Sequence, residues 1–132
     1  KAVANKQSKG GQLAWVIMAK HCFWEDMYLF FKLKWSQIGR RNTSEAISVD
    51  VDGVAVATYY HSPFEVKQLL ESNYHIQKIR PVAFFLPPSY LEPFFKKYRW
   101  LLNGLNLLEK VVGRFSIFAN WSDHYIIIAE RK

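Results

Sequence analysis

A chain of 132 residues that is 50% hydrophobic, 17% aromatic and 22% charged has the composition of one folded globular unit, which excludes a disordered tail or low-complexity linker. Its single cysteine, Cys22, excludes an internal disulfide, a four-cysteine zinc site and a Cys-x-x-Cys redox pair, and suits a reducing, cytoplasmic setting. The net charge of +7 admits an acidic partner, yet the basic residues are scattered singly or in pairs and no short nucleic-acid-binding signature occurs, which argues against a nucleic-acid role.

Residues 1–11 are polar and lack the apolar centre of a secretory signal, and the chain begins at lysine, which points to a fragment or processed product. Gly10 and Gly11 release the continuous apolar run Leu13 to Ala19, predicted to be a strand buried on both faces. This run and the one from Ile126 to Ala129 fall far short of the ~20 residues that span a bilayer. From Cys22 to about Trp35, Phe23, Met27, Phe30, Phe31 and Trp35 recur at three- and four-residue spacings, which predicts an amphipathic helix with acids in its first turn and bases in its last. The alternation from Ile47 to Val51, the turn residues Asp52 and Gly53, and the run from Val54 to Tyr60 predict a β-hairpin.

Ser62, Pro63 and Glu65 spell a capping box with proline at the first helical position, so a helix starts there and runs to about Ser72. Tyr74 to Arg80 is predicted as a strand on a sheet edge, because Lys78, Arg80 and Pro81 interrupt its apolar pattern. An apolar loop over residues 84–88 precedes a second Ser-x-x-Glu start, Ser89 to Glu92, and one long helix ending near Gly113. Tyr125 to Ala129 is a last apolar strand, also expected to be buried on both faces. No repeat or linker divides these elements, so residues 1–132 read as a single unit. Strands separated by helices argue an α/β layer architecture with helices on both faces of the sheet, but the inventory amounts to half of a doubly wound fold.

The order of elements is the informative feature: two glycines, strand, helix from Cys22-Phe23-Trp24-Glu25, hairpin ending in Tyr59-Tyr60-His61-Ser62-Pro63, helix, strand, Leu86-Pro87-Pro88-Ser89-Tyr90, long helix, and a strand opening on His124-Tyr125. It resembles the carboxyl-terminal half of a Rossmann-like S-adenosylmethionine-dependent methyltransferase over nearly the whole chain. The resemblance implies two strands running parallel, with the last strand antiparallel between them, and the hairpin as an insertion. It also implies that S-adenosylmethionine serves the complete enzyme. In the family a Gly-rich turn after the first strand and an acidic residue after the second hold that cofactor, and none of the six glycines here forms such a turn. The cofactor half is therefore expected to be absent, and the isolated chain to be inactive. A missing amino-terminal half, on the same or another chain, is the implied partner, and without it the open edge of the first strand predicts that the isolated chain forms a homo-oligomer.

Ligands of open α/β sheets sit beyond the carboxyl ends of parallel strands. That rule selects Lys20 and His21 after the first strand, Tyr59, Tyr60 and His61 before the capped helix, and Tyr90 after the edge strand. His21 and His61 have the titration range of a general base toward an acceptor, while Lys20, Trp24, Tyr59, Tyr60 and Tyr90 are candidates to bind it. Each has a structural alternative: His21 as a helix-start residue, His61 as a turn residue, Trp24 as core, and one of the two tyrosines as packing. No spacing of His21, His61, His75, His124 and Cys22 fits a metal. Two further readings remain: a non-catalytic module that homodimerises through its open strand edge, and a basic, aromatic-rich binder of anionic lipid or nucleic acid.

Overall fold

The computed structural model describes residues 7–88 and 91–132. Its strands are β1 (Gln12–Met18), β2 (Ile47–Val51), β3 (Val54–Thr58), β4 (Tyr74–Val82) and β5 (His124–Arg131), and its α-helices are α1 (Phe23–Phe31), α2 (Pro63–Leu70), α3 (Glu92–Lys97) and α4 (Arg99–Val111). Short 3-10 turns occupy Trp35–Gln37 and Ser116–Asn120.

β1, β5 and β4 form one sheet in that order, and β2 pairs only with β3. Every pairing among the described strands is antiparallel, so the adjacent parallel strands of a doubly wound sheet are not present. Because β5 is antiparallel to both neighbours, β1 and β4 run in the same direction on either side of it. The β1–β5 register sets Leu13, Trp15 and Ile17 opposite Ala129, Ile127 and Tyr125. With Tyr74, Ile76 and Ile79 of β4 they make one apolar face, which Val66 and Leu70 of α2 and Ala119 cover. Tyr125, Ile127 and Ala129 have no accessible surface, so the core sits on this side of the central strand.

The opposite face overturns the expectation of burial on both sides. Its rows run Ala14, Ile128, Lys78; Val16, Ile126, Arg80; and Met18, His124, Val82, and none of these residues is buried. Val16 is 56% exposed, and β1 is a free sheet edge among the described strands. Continuous apolarity marked β1 as a strand that buries two faces, but only α2 and the turn at Ala119 supply a covering layer, and they lie on one side.

Local chemistry explains the elements that form as expected. Asp52 and Gly53 both take positive φ, 52° and 83°, which closes the two-residue hairpin, and the Gly53 N–H donates to the Asp50 carboxylate. The Ser62 hydroxyl accepts from the Glu65 N–H while the Glu65 carboxylate accepts from the Ser62 N–H, which caps α2. β4 extends to Val82 through Pro81, whose missing N–H is tolerable on an edge.

Two helices differ from expectation. α1 stops at Phe31, before Lys32, Lys34 and Trp35, so no base lies in its last turn. Leu33 adopts φ 57°, and the N–H groups of Leu33 and Lys34 bond the carbonyls of Phe30 and Leu29, the paired bonds of a Schellman ending. Glycine normally takes that position; a leucine there bears about 1–2 kcal/mol of backbone strain. The long helix expected up to Gly113 is two helices, broken at Tyr98 (φ −115°, ψ 60°). Ser89, the expected cap, lies outside the described residues, and α3 begins at Glu92 with Pro93 in its first turn.

α1, α3 and α4 gather around a second, smaller core of Cys22, Trp24 and Phe95, against which Met27, Leu101, Leu102 and Leu105 pack. Phe84 joins this arm to the sheet: its carbonyl accepts from the Trp24 indole N–H (2.9 Å), and its ring stacks on Phe118, 4.6 Å between centroids.

Candidate functional site

The turn after β1, the segment before α2 and the start of β5 are tied together by backbone bonds. The His61 N–H donates to the Met18 carbonyl (3.1 Å), the Ala19 N–H to Asp123 (3.1 Å) and the Phe23 N–H to Trp121 (2.9 Å). The Tyr125 hydroxyl donates to the His61 carbonyl (3.0 Å), and burial raises its pKa. Residues 18–23, 59–62 and 121–124 therefore share the rim at the carboxyl end of β1.

Lys20 donates to Glu65 at 2.5 Å, and this bond, aided by the cap contacts with Ser62, lowers the Glu65 pKa. His21 stacks on Trp121, 5.0 Å between ring centroids. Tyr59 is exposed, whereas Tyr60 is buried with the Arg41 guanidinium 4.9 Å above its ring; both lie beyond β3, which ends at Thr58 and not at Tyr60 as expected, so the contact with Arg41 and not strand alternation accompanies the division. His61 keeps an exposed imidazole, its Nδ1 4.0 Å from Glu65. Trp24 does not reach the rim's surface: it is buried in the second core, in edge contact with Phe95. Tyr90 lies outside the described residues.

The rim also holds a charged network that sequence spacing does not display. Glu25, buried in α1, accepts from Arg40 and from Arg41 (2.6 Å), and Arg41 donates also to Asp123 (2.8 Å). Burial works against the Arg41 charge, but Glu25 and Asp123 outweigh it and raise its pKa. Removing Arg41 would leave a buried carboxylate with a single partner, the costly half of a broken ion pair. The second Asp123 oxygen stands 3.0 Å from Nδ1 of His124. The contact is a proximity of the two groups and not an aligned hydrogen bond, and it sets a carboxylate beside one nitrogen of a half-exposed ring. The signal in the sequence was the adjacent pair Asp123 and His124 at a strand start.

Cys22 is buried beneath the rim, and burial pushes its thiol up to about 11, so it is a packing residue and a poor nucleophile near neutral pH. Among the described residues no group of three metal-ligating side chains forms. Two cavities open on the arm, and only the smaller touches the rim, at Phe23 and Trp121. One of about 730 Å³ is walled by Leu86, Pro87, Pro88, Phe95 and Leu102 with Arg99 at its border, and one of about 430 Å³ runs between Phe23, Met27, Phe30, Ile38 and Trp121. Neither is lined by Lys20, His21, Tyr59, Tyr60 or His61. No protein-family model matches the chain, and no curated protein matches it. No described helix is long and apolar enough to cross a membrane.

Proposed function

We propose that this chain is the acceptor-recognition side of an S-adenosylmethionine-dependent methyltransferase, with the cofactor side supplied by a further segment of the same or another polypeptide. The observation that supports the reading is the strand order β1–β5–β4 with β5 antiparallel between two strands of common direction. The free edge of β1 and the uncovered face of Val16, Ile126 and Ile128 are where such a segment would add strands and helices.

The described residues do not fit the cofactor itself. The turn from β1 to α1 is Ala19-Lys20-His21-Cys22, without glycine; Lys20 is held by Glu65, and the first helical N–H, at Phe23, is bonded to Trp121. What the chain's own residues offer is an acceptor surface: Tyr59 and the His21–Trp121 stack as walls, with His61 and His124 as imidazoles toward solvent. Of the two, His124 has the nearer carboxylate, Asp123 at 3.0 Å against Glu65 at 4.0 Å from His61, which supports His124 as the base toward an acceptor hydroxyl or amine.

Two measurements test this. Calorimetric titration of the isolated chain with S-adenosylmethionine is expected to show no saturable binding; micromolar binding would overturn the division of labour. The same reading frame extended upstream is expected to encode a Gly-rich strand-turn-helix and, when expressed with this chain, to transfer labelled methyl groups, an activity that His124→Ala lowers by about 10²–10⁴-fold. An upstream segment with no such turn overturns the reading.

A further inference from the structure

The end of α1 carries the densest exposed apolar cluster of the described chain. Within six residues Phe30, Phe31, Leu33 and Trp35 all lie open to solvent, Phe31 74%, Leu33 77% and Trp35 63% exposed. They are interleaved with Lys32 and Lys34, and between Met27 and Ser44 the sequence has four cations and no acidic residue. Arg40 and Arg41 are engaged by Glu25, but neither lysine has a carboxylate partner among the described residues, and Lys32 lies 5.7 Å from the Tyr28 ring.

The cluster is held in shape. The Schellman ending fixes Leu33 at positive φ, the Trp35 indole N–H donates to the Phe30 carbonyl (3.3 Å), and the two rings stack at 6.3 Å. A conformation that favours glycine is thus spent on a leucine that buries almost nothing. An aqueous surface gains nothing from that arrangement.

We propose that this tip, residues 30–35, inserts into the surface of a membrane rich in anionic lipid. The chemistry is complementary on both counts. Phe31, Leu33 and Trp35 would enter the boundary between headgroups and acyl chains, and tryptophan is suited to that level because its ring is apolar and its N–H polar. Lys32 and Lys34 alternate with them on flexible stems, so their ammonium groups reach back to anionic headgroups while the apolar side chains go in. Charge also decides against a second copy of this chain as the occupant, since a two-fold contact through the tip would bring together four lysines that have no carboxylate partner among the described residues. The inference does not rest on the methyltransferase reading, because none of residues 30–35 belongs to the proposed acceptor surface, although Phe30 and Phe31 line one cavity with Phe23 and Trp121.

Vesicle flotation tests it. The chain is expected to float with phosphatidylcholine vesicles containing about 30% phosphatidylserine at low salt, about tenfold more than with phosphatidylcholine alone, and to lose that preference in high salt. Leu33→Asp combined with Trp35→Ser should abolish flotation, and Lys32→Glu combined with Lys34→Glu should remove the anionic preference. All four side chains are exposed, so far-UV circular dichroism should be unchanged in both variants. Absence of flotation on anionic vesicles, or equal flotation by the variants, overturns the proposal. So does tip-dependent retention on single-stranded oligonucleotide without vesicle binding, or a tip-dependent dimer that ignores vesicles.

Discussion

The sheet with α2 and the arm of α1, α3 and α4 are built from equally apolar sequence, yet they bury it differently. β5 places Tyr125, Ile127 and Ala129 wholly out of solvent under Val66 and Leu70, whereas no residue of the thirteen-residue α4 is buried. On α4, Leu101, Leu102 and Leu105 turn toward the small core, and Trp100, Leu107 and Val111 line the other side in the open. The difference teaches that apolar content alone does not fix burial. A strand flanked by two hydrogen-bonded neighbours draws a covering layer, while an amphipathic helix buries only the stripe that meets a partner.

The largest effect is expected where the two regions are joined. Arg41 links Glu25 of the arm to Asp123 at the start of β5, and Arg41→Ala strips the buried Glu25 of one of its two cations. A loss of about 3–5 kcal/mol is expected in denaturant unfolding. A loss below about 1 kcal/mol would show that the network is wet and that the regions are joined by Phe84 and its ring contacts instead.

Close behind comes the sheet core. Ile127→Ala removes buried methyl and methylene groups at a position with no accessible surface, and should cost about 2–5 kcal/mol by chemical denaturation. An arm position of similar size should cost a small fraction of that, so near-equal losses would erase the contrast.

The alkaline limb of stability reports on the arm's own core. Cys22 has a thiol pushed up to about 11 by burial, against an ordinary value near 9, and burial also raises Tyr60 and Tyr125. The unfolded chain gives up these protons first, so the folded state holds more of them and stability falls as pH rises from about 9 to about 11. The Cys22 share is about 3 kcal/mol, and Cys22→Ala should flatten that limb. An unchanged limb would place the loss in the tyrosines of the sheet region.

What could be read in advance follows the range of the interactions. The hairpin and the start of α2 depend on residues two or three apart, Asp52 with Gly53 and Ser62 with Glu65, and both form where the pattern places them. The end of α1 does not, because a leucine in the left-handed region carries no signature in composition. Nor does the break at Tyr98, where a good helical pattern continues through a residue with non-helical angles. β1 was legible as a strand but not as an edge, since its apolar run states what it can bury and not what is there to cover it. At the rim, sequence brought Lys20, His21, Tyr59, Tyr60 and His61 to one end of the sheet. It did not reveal Arg41 between Glu25 and Asp123, sixteen and eighty-two residues away.

A smaller effect belongs to the cap. Ser62→Ala removes the acceptor for the Glu65 N–H and should cost about 1 kcal/mol, read as a lower unfolding midpoint. The same site sets a sign at low pH. Lys20 holds the Glu65 carboxyl below its ordinary value, so this contribution is present above that value and fades as pH falls through the lowered one. Lys20→Met should weaken the acid dependence, and a variant with an unaltered acid limb would assign it to other carboxylates.

The smallest expected change is Trp100→Ser on α4, and it is the sharpest test of the contrast. Trp100 is 74% exposed and points away from Leu101, Leu102 and Leu105, so the folded chain gains little from its ring. Surface substitutions of this kind stay within about 0.5 kcal/mol. If the isolated chain is monomeric, Trp100→Ser should leave its unfolding midpoint in place and raise its solubility, because an exposed indole beside Leu107 and Val111 is an adhesive surface. If the chain associates through α4, the substitution should lower the mass seen by light scattering at a fixed concentration, and the midpoint should then depend on concentration in the parent and not in the variant. A loss of more than about 1 kcal/mol at a concentration where the parent is monomeric would mean that Trp100 is packed within its own chain, and the division between a self-sufficient sheet and an outward-facing arm would fall.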